Sequence, residues 1–82
     1  MEQTSYKETM EFVVNSKEYR AEATLLMDSF KYKIDVEELV PYEKNKPISN
    51  DYGQNHTILD LEDYESLGLE GSVREFYFKL FQ

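Results

Sequence analysis

The fold of this chain is decided by residues 9–37, which read TMEFVVNSKEYRAEATLLMDSFKYKIDVE. Apolar and polar side chains alternate through this stretch, and the alternation is interrupted at Asn15-Ser16 and at Asp28-Ser29. A period of two is typical of strands that bury one face, and both dipeptides are acceptable in tight turns. The stretch therefore predicts a three-stranded antiparallel meander, with strands at about 9–14, 18–27 and 30–37.

The apolar residues of the second and third predicted strands match each other in register. A two-residue loop at Asp28-Ser29 places Leu25 opposite Tyr32, and the apolar residues further along the two strands then also face each other. The central strand carries two small residues on this face, Ala21 and Ala23, which leave room above the sheet. Because protein cores are filled to crystal-like density, we expect a bulky aromatic element over these alanines.

The polar face of the same sheet carries one favourable and one unfavourable arrangement of charges. The predicted register puts Arg20 between Glu11 and Glu37 on the two neighbouring strands. It also opposes Glu22 to Asp35, which is repulsive. Each cross-strand pair contributes only about 0.2–1 kcal/mol, so the prediction depends on the agreement of many pairs.

Residues 38–56 follow the meander and show no periodic pattern. Pro41 and Pro47 argue against regular strand pairing, and the segment contains several turn-forming residues. A loop of this length is uncommon in a small domain, which indicates that it is functional, mobile or contains a short strand. Residues 57–61, which come next, can form a fourth short strand.

The C-terminal part of the chain combines a helical signal with an ambiguous segment. Residues 62–67 are predicted to form a short helical turn that ends at Gly68. Residues 73–81 are rich in strand-forming residues, and we favour a C-terminal strand because a helix would leave Phe78 off its apolar face. A helix remains the alternative, since the apolar residues also recur at helical spacing. The chain is therefore predicted to be one α+β domain, mainly β, over residues 1–82.

The charge balance is strongly acidic: seventeen Asp and Glu residues against nine Lys and Arg give a formal net charge of −8 on 82 residues. This surplus argues against direct binding of nucleic acid, which depends on Lys and Arg to neutralise phosphates. It also argues against attachment to an anionic membrane surface. A basic protein is the favoured partner, because complementary fields speed encounter and orient the two molecules.

The chain contains no cysteine, and its first residues lack the basic and apolar order of a signal peptide. Disulfides and thiolate metal sites are therefore excluded. No apolar run approaches the length of a membrane span. We expect a cytoplasmic protein.

Residues that are able to carry out catalytic chemistry are few. His56 is the single histidine, and no serine lies in a nucleophile turn such as Gly-x-Ser-x-Gly. A metal site built from His56, Asp51 and Asp60 would match no known ligand spacing, and the three glycines form no phosphate-binding loop. We therefore expect a non-enzymatic protein without a metal or a cofactor.

The most distinctive candidate site is an acidic run without a basic residue, since no Lys or Arg occurs from Thr57 to Val73. It is either a solvated face that maintains solubility or an electronegative surface that docks on Lys and Arg of a partner. Tyrosine is a favoured interface anchor. Carboxylates with exposed aromatic rings can also imitate the phosphates and bases of nucleic acid. The predicted partner-binding residues are Asp51, Tyr52, Asp60, Glu62, Asp63, Tyr64 and Glu65.

In size, single-domain organisation and acidic surplus, the chain resembles phage and mobile-element inhibitors and toxin-neutralising immunity proteins, a resemblance of type that covers no specific motif. The resemblance implies a protein that inhibits or regulates a basic partner, for example a nucleic-acid-handling enzyme. The alternative is a small structural or accessory module. Such a module would form homodimers through its aromatic C-terminal segment, with contacts from Phe76, Phe78, Leu80 and Phe81.

Overall fold

The computed structural model describes residues 6–82 and shows an α+β fold in which a helix covers one face of an antiparallel sheet. The strands are β1 (Lys7–Val14), β2 (Lys17–Leu26), β3 (Lys31–Leu39), β4 (Lys46–Ile48) and β5 (Thr57–Asp60). The helix α1 is Leu61–Phe76, and a 3-10 helix at Phe78–Phe81 follows it. The sheet order is β1-β2-β3-β4, and β5 pairs with β3 on the same edge as β4.

The β1–β2 hairpin confirms the predicted turn and register. Asn15 and Ser16 have φ values of 51° and 68°, so both central residues adopt the left-handed conformation of a type I′ turn. Val14 pairs with Lys17 directly beside the turn. This turn type gives the hairpin the right-handed twist of its strands, which explains why two residues suffice to close it.

The β2–β3 register is also the predicted one, since Leu25 pairs with Tyr32. The connecting loop is longer than predicted, because the last pair is Leu26 with Lys31. The Phe30 N–H donates a hydrogen bond to the Leu26 carbonyl (2.8 Å) and closes a four-residue loop. Within this loop the positive φ falls on Phe30 (55°), its last residue, and not on Asp28 or Ser29, so the two-residue turn with positive φ at both central residues does not form here.

The face of the sheet opposite α1 confirms the predicted position of Arg20 between two acids. Its Nη2 lies 3.0 Å from Oε2 of Glu11, and its Nη1 lies 3.7 Å from Oε2 of Glu37. Lys7 and Glu22 form a further ion pair at 3.3 Å. Exposed pairs of this kind contribute at most about 1 kcal/mol each, so they set register more than stability.

Glu22 and Asp35 lie opposite each other on β2 and β3, as predicted. Burial raises the pKa of Asp35 above its usual value, and the negative charge of Glu22 raises it further. The folded state therefore binds this proton more tightly than the unfolded state does. The stability that the proton contributes is lost as the pH rises through the raised pKa.

We expect Asp35→Asn to raise the free energy of unfolding at pH 7, because the amide removes the unfavourable ionisation. The gain should disappear below pH ~3.5, where the carboxyl group is protonated in both states. Urea unfolding at both pH values measures this difference. Asp28→Asn, in the exposed β2–β3 loop, controls for the loss of one charge. A gain of equal size at low pH would contradict this explanation.

The region predicted as a long loop contains a strand, β4. Pro47 pairs with Glu37 at the outer edge of the sheet, where a missing N–H is tolerated. The prediction that Pro47 prevents regular pairing is therefore wrong. Two connections remain, residues 40–45 before β4 and residues 49–56 after it. The second leads into β5, which confirms the short strand predicted at 57–61.

The C-terminal strand predicted at 73–81 is wrong, and the helical alternative is correct. Val73 and Tyr77, one helical turn apart, are 0% and 1% exposed, whereas Phe78 is 56% exposed. Within residues 6–82, α1 and the segment after it supply the cover for the apolar face of the sheet. Burial of one side of a helix therefore outweighs the strand propensity of its aromatic residues.

This helix fills the room that the two alanines of the central strand leave. Ala21 and Ala23 are completely buried, and they belong to one core cluster with four residues of the C-terminal part, Tyr64, Leu69, Val73 and Tyr77. The expected aromatic cover over the alanines is thereby confirmed. The buried tyrosines provide much of the apolar area in a chain that has no disulfide to stabilise it.

A kink interrupts α1 at Gly68, where the predicted short helical turn ends. Gly68 has φ 72° and ψ 179°, a conformation that is essentially restricted to glycine. The Ser72 hydroxyl donates a hydrogen bond to the Gly68 carbonyl (2.6 Å), so this carbonyl has a partner despite the kink. Neither α1 nor any other helix within residues 6–82 is long and apolar enough to cross a membrane.

Candidate functional site: an acidic face on the helix

The first two turns of α1 carry a group of three carboxylates, Glu62, Asp63 and Glu65, which we call the acidic patch. All three residues are exposed. No Lys, Arg or His nitrogen of residues 6–82 lies within 4.0 Å of their carboxylates. Negative charge in the first turn of a helix is stabilised by the helix dipole, which offsets part of the mutual repulsion. The acidic patch therefore presents charge that the described part of the chain does not neutralise.

The two ends of the acidic run are neutralised, in contrast to the acidic patch. Asp60 Oδ1 lies 3.2 Å from Lys31 Nζ, and Glu70 Oε2 lies 3.3 Å from Arg74 Nε. Asp60 thus borders the acidic patch as one half of an exposed ion pair. The electronegative part of the run is narrower than the sequence predicts.

Tyr64 lies within the acidic run in sequence but beneath the helix in the fold. It is 7% exposed, and its ring stacks on Tyr32 with the ring centroids 3.9 Å apart. Its hydroxyl donates a hydrogen bond to the Glu8 carboxylate on β1. Burial and this bond raise the pKa of Tyr64, so the hydroxyl stays a donor. Tyr64 holds the acidic end of α1 on the sheet, and the prediction of an exposed anchor at this position is wrong.

Glu8 extends the negative surface from the helix to β1. Burial raises the pKa of Tyr32, and three nearby groups raise it further, namely Tyr6, Glu8 and Glu65. Glu8 on β1 and Glu65 on α1 therefore both lie near the Tyr32 hydroxyl. The Glu8 carboxylate therefore lies beside α1, where it accepts the hydrogen bond from Tyr64.

Asp51 has a structural position at the opposite end of α1. Its carboxylate oxygens accept hydrogen bonds from the backbone N–H groups of Phe78 (2.9 Å) and Lys79 (3.1 Å). Its own N–H donates to the Phe76 carbonyl (2.8 Å). Asp51 therefore caps the 3-10 helix and joins the loop of residues 49–56 to the C-terminal segment.

The structure does not bring the predicted partner-binding residues to one place. Asp51 and Tyr52 lie at the Phe76 end of α1, whereas the acidic patch lies at its beginning. The kink at Gly68 separates these two ends of α1. The hydrogen bonds of Asp51 therefore join it to the C-terminal segment and not to the acidic patch. Tyr52 is nevertheless 74% exposed and remains available for contact.

Asn50 organises the loop that carries these two residues, and sequence reasoning missed it. Its Nδ2 donates hydrogen bonds to the His56 carbonyl (3.1 Å) and to Thr57 Oγ1 (2.9 Å). Its Oδ1 accepts hydrogen bonds from the N–H groups of Tyr52 and Gln54, each at 2.9 Å. The Asn-Asp-Tyr-Gly sequence indicates a turn. It does not indicate which side chain the turn buries.

A cavity of about 500 Å³ lies beside this loop, with Tyr52, His56 and Phe76 among its lining residues. Within residues 6–82, the His56 imidazole forms no hydrogen bond. The backbone carbonyl of His56 accepts one from the Asn50 side chain. No group of three or more His, Cys, Asp or Glu residues in the described part of the chain is arranged to hold a metal ion. The cavity combines aromatic side chains with polar ones, those of Asn50, Gln54 and Thr57.

The aromatic residues of the C-terminal segment contribute mainly to the core. Phe76 and Phe81 pack against the buried cluster, and Phe81 stacks on Phe12 with ring centroids 5.8 Å apart. The Arg74 guanidinium lies 5.0 Å from the centroid of Phe81. Among the segment's aromatic rings, Phe78 is the exposed one, at 56%, whereas Phe76 and Phe81 are half-buried.

The acidic patch is a group of exposed carboxylates outside the ion pairs of residues 6–82. Comparisons of the chain with protein-family models, with curated proteins and with solved structures found no match. Chemically, exposed carboxylates of this kind can accept charge-assisted hydrogen bonds from Lys and Arg of another protein.

Proposed function

We propose that this protein is a non-enzymatic acidic binding protein that inhibits or regulates a basic protein of the nucleic-acid-handling class. In this proposal it acts as phage inhibitors and immunity proteins do, by covering the cationic surface of its partner. One observation carries the proposal: Glu62, Asp63 and Glu65 are exposed on one helix end, without a cation of residues 6–82 to neutralise them.

Electrostatics supports a role in association more than in stability. The whole chain carries a formal charge of −8, and the acidic patch concentrates part of that charge on the first two turns of α1. Complementary charge raises association rates and excludes partners of the same sign. The carboxylates occupy the place of nucleic-acid phosphates in the groove of such a partner, and the partner's Lys and Arg supply the counter-charge.

The test begins with capture of the partner from the source cells and continues with binding measurements on the purified pair. We expect the triple variant Glu62→Gln, Asp63→Asn, Glu65→Gln to weaken binding about tenfold or more, because the buried or rim charges of the partner lose their acceptors. The variant should remain folded, since the three side chains are exposed and contact no cation of the described chain.

A matched control removes the same charge elsewhere. The control triple variant is Glu18→Gln, Asp28→Asn, Glu43→Gln, whose residues are exposed and outside the ion pairs. We expect the control to change binding by less than about threefold, as a loss of net charge alone does. Equal weakening by both variants, or no weakening by the first, would contradict the assignment of the site. A captured partner with an acidic surface would contradict the proposal as a whole.

A further inference from the structure

β1 forms an edge of the sheet, and half of its backbone polar groups lack a partner among residues 6–82. The Leu25 N–H donates a hydrogen bond to the Tyr6 carbonyl (2.9 Å), so every second residue from Tyr6 directs its backbone groups towards β2. The residues between them direct their N–H and C=O groups away from the sheet. These outward residues are Lys7, Thr9, Glu11 and Val13.

A groove of about 300 Å³ runs along this edge, between β1 and the second half of α1. One side is formed by residues 10–14 of β1, and the other by Glu70, Arg74 and Phe81. The inward side chains of β1 and the Phe81 ring make its floor apolar. An extended segment that pairs with β1 would therefore place a side chain directly over an apolar groove.

The ion pairs around this edge leave one carboxylate of β1, that of Glu8, without a cation within residues 6–82. Glu11 pairs with Arg20, and Lys7 pairs with Glu22. Arg74 is the cation in the lining, and it already pairs with Glu70 and lies over Phe81. The hydrogen bond between Tyr64 and Glu8 joins this edge to the acidic patch. A basic side chain of an added segment is therefore complementary to Glu8 at the start of β1, and the net charge of −8 on the chain favours a basic segment over an acidic one.

We propose that β1 accepts an extended, basic segment of the partner protein as an added strand, with an apolar side chain of that segment in the groove. The inference rests on the proposed function, because it takes the partner to be basic. Strand addition gives hydrogen-bond partners to the backbone N–H and C=O groups of the four outward residues. Every second side chain of the added segment then contacts the groove side of the sheet, which makes binding depend on the sequence of the segment. A basic segment is favoured over a second copy of this chain, since two copies would each bring a charge of −8.

The direct test uses the full chain and a seven-residue peptide, Lys-Val-Lys-Phe-Lys-Val-Lys, with hydrogen exchange of backbone amides followed by NMR. We expect the peptide to slow exchange at Lys7, Thr9, Glu11 and Val13. The alternate amides, which already bond to β2, should change little. The counterpart peptide with Glu in place of Lys should bind about tenfold more weakly or worse.

A substitution at Thr9 distinguishes binding through backbone hydrogen bonds to β1 from binding through charge attraction alone. Thr9→Pro removes an outward N–H that plays no part in the β1–β2 ladder, and Glu8 before it is already extended, as a residue before proline must be. We expect this variant to stay folded and to bind the basic peptide about tenfold more weakly. Thr9→Val keeps the N–H and should bind as the wild type does.

The outcomes distinguish this inference from the proposed function. Strand addition is wrong if the four outward amides stay unprotected and Thr9→Pro does not change peptide binding. The proposed function still stands in that case, provided that neutralising the acidic patch weakens peptide binding. If the acidic and basic peptides protect the edge equally, its preference for basic segments is wrong. If the outward amides are protected without peptide and Thr9→Pro converts a dimer to a monomer, the edge belongs to a second copy and the inference is overturned.

Discussion

Replacing Tyr77 with alanine is expected to lower the free energy of unfolding by about 3–5 kcal/mol, as for other large aromatic side chains in cores. Tyr77 is 1% exposed and is the largest of the completely buried side chains. It lies where the chain leaves α1, and its N–H donates a hydrogen bond to the Val73 carbonyl (2.8 Å). A loss of this size approaches the whole free energy of unfolding of a small domain. In urea unfolding, the midpoint of the variant should therefore lie close to zero urea.

Tyr77→Phe is the matched control and should have the opposite sign. The Tyr77 hydroxyl is buried without a hydrogen-bond partner in residues 6–82, and the backbone of Val36 approaches it without hydrogen-bonding geometry. Burial raises the pKa of Tyr77 to about 12, and the charge of Asp35 adds to the effect. Because phenylalanine fills the same space without the unpaired hydroxyl, we expect a gain of about 1 kcal/mol. A loss of that size would show that the hydroxyl has a partner in solution.

The second large effect is expected at Asn50. Asn50→Ala removes four hydrogen bonds at once and leaves the N–H groups of Tyr52 and Gln54 without their acceptor. We expect the free energy of unfolding to fall by about 2–4 kcal/mol, since unsatisfied buried groups add to the lost bonds. Thermal and urea unfolding measure the loss. Faster amide exchange should appear in residues 49–57 before it appears in the meander.

Asn50→Asp tests which half of this hydrogen-bond network matters. Aspartate keeps the oxygen that accepts from the two loop N–H groups but replaces the Nδ2 donor with a second oxygen. That oxygen faces the His56 carbonyl, which can only accept, so we expect a loss smaller than that of the alanine variant but above 1 kcal/mol, about 1–3 kcal/mol. A stability equal to that of the wild type would mean that the donor bonds to His56 and Thr57 contribute nothing.

The meander could be predicted from the sequence because its information is local. Alternation of apolar side chains defines each strand, and short loops leave one register that matches Leu25 with Tyr32 and Arg20 with both Glu11 and Glu37. The type I′ turn at residues 15–16 needs no distant contact. The longer β2–β3 loop preserves the register because the residues added to it come equally from both strands.

The C-terminal segment could not be assigned in the same way because its local and tertiary preferences disagree. Its residues favour a strand by propensity, but the open apolar face above Ala21 and Ala23 favours a helix that buries Val73 and Tyr77. Two sequence observations indicate the helix: the small residues Ala21 and Ala23 on the central strand, and the helical spacing of the apolar residues in 73–81. The prediction that Pro47 prevents strand pairing is wrong for a related reason. Proline is tolerated in an edge strand, and only the assembled sheet shows that β4 lies at an edge.

The candidate site could be predicted in part: the sequence shows which residues carry the negative charge, but it does not show how they are arranged in space. An exposed helix end with Glu62, Asp63 and Glu65 follows from the run that lacks Lys and Arg. The pairing of Asp60 with Lys31 depends on the β3–β5 register, and the burial of Tyr64 depends on the Tyr32 ring beneath it. Both contacts join residues that are distant in sequence, so no local pattern reveals them.

The two proposals assign different roles in binding to the acidic patch and to the β1 edge. In these proposals the acidic patch attracts a basic partner at long range, whereas the backbone of β1 and the apolar groove select an extended segment at short range. Glu8 belongs to both regions, since it lies on β1 and accepts the Tyr64 hydrogen bond. Variants of the acidic patch should therefore change association rates, and variants of the edge should change dissociation rates.

The most direct measurement of the central claim is the association rate constant with the captured basic partner, determined by stopped flow at ~20 mM and ~300 mM salt. We expect the wild-type rate to fall about tenfold or more across this range, because salt screens the field of the acidic patch. The Glu62→Gln, Asp63→Asn, Glu65→Gln variant should start slower and show a much flatter dependence. An association rate that is independent of salt, or that both proteins share at every salt concentration, would contradict the claim that exposed carboxylates on α1 recruit the partner.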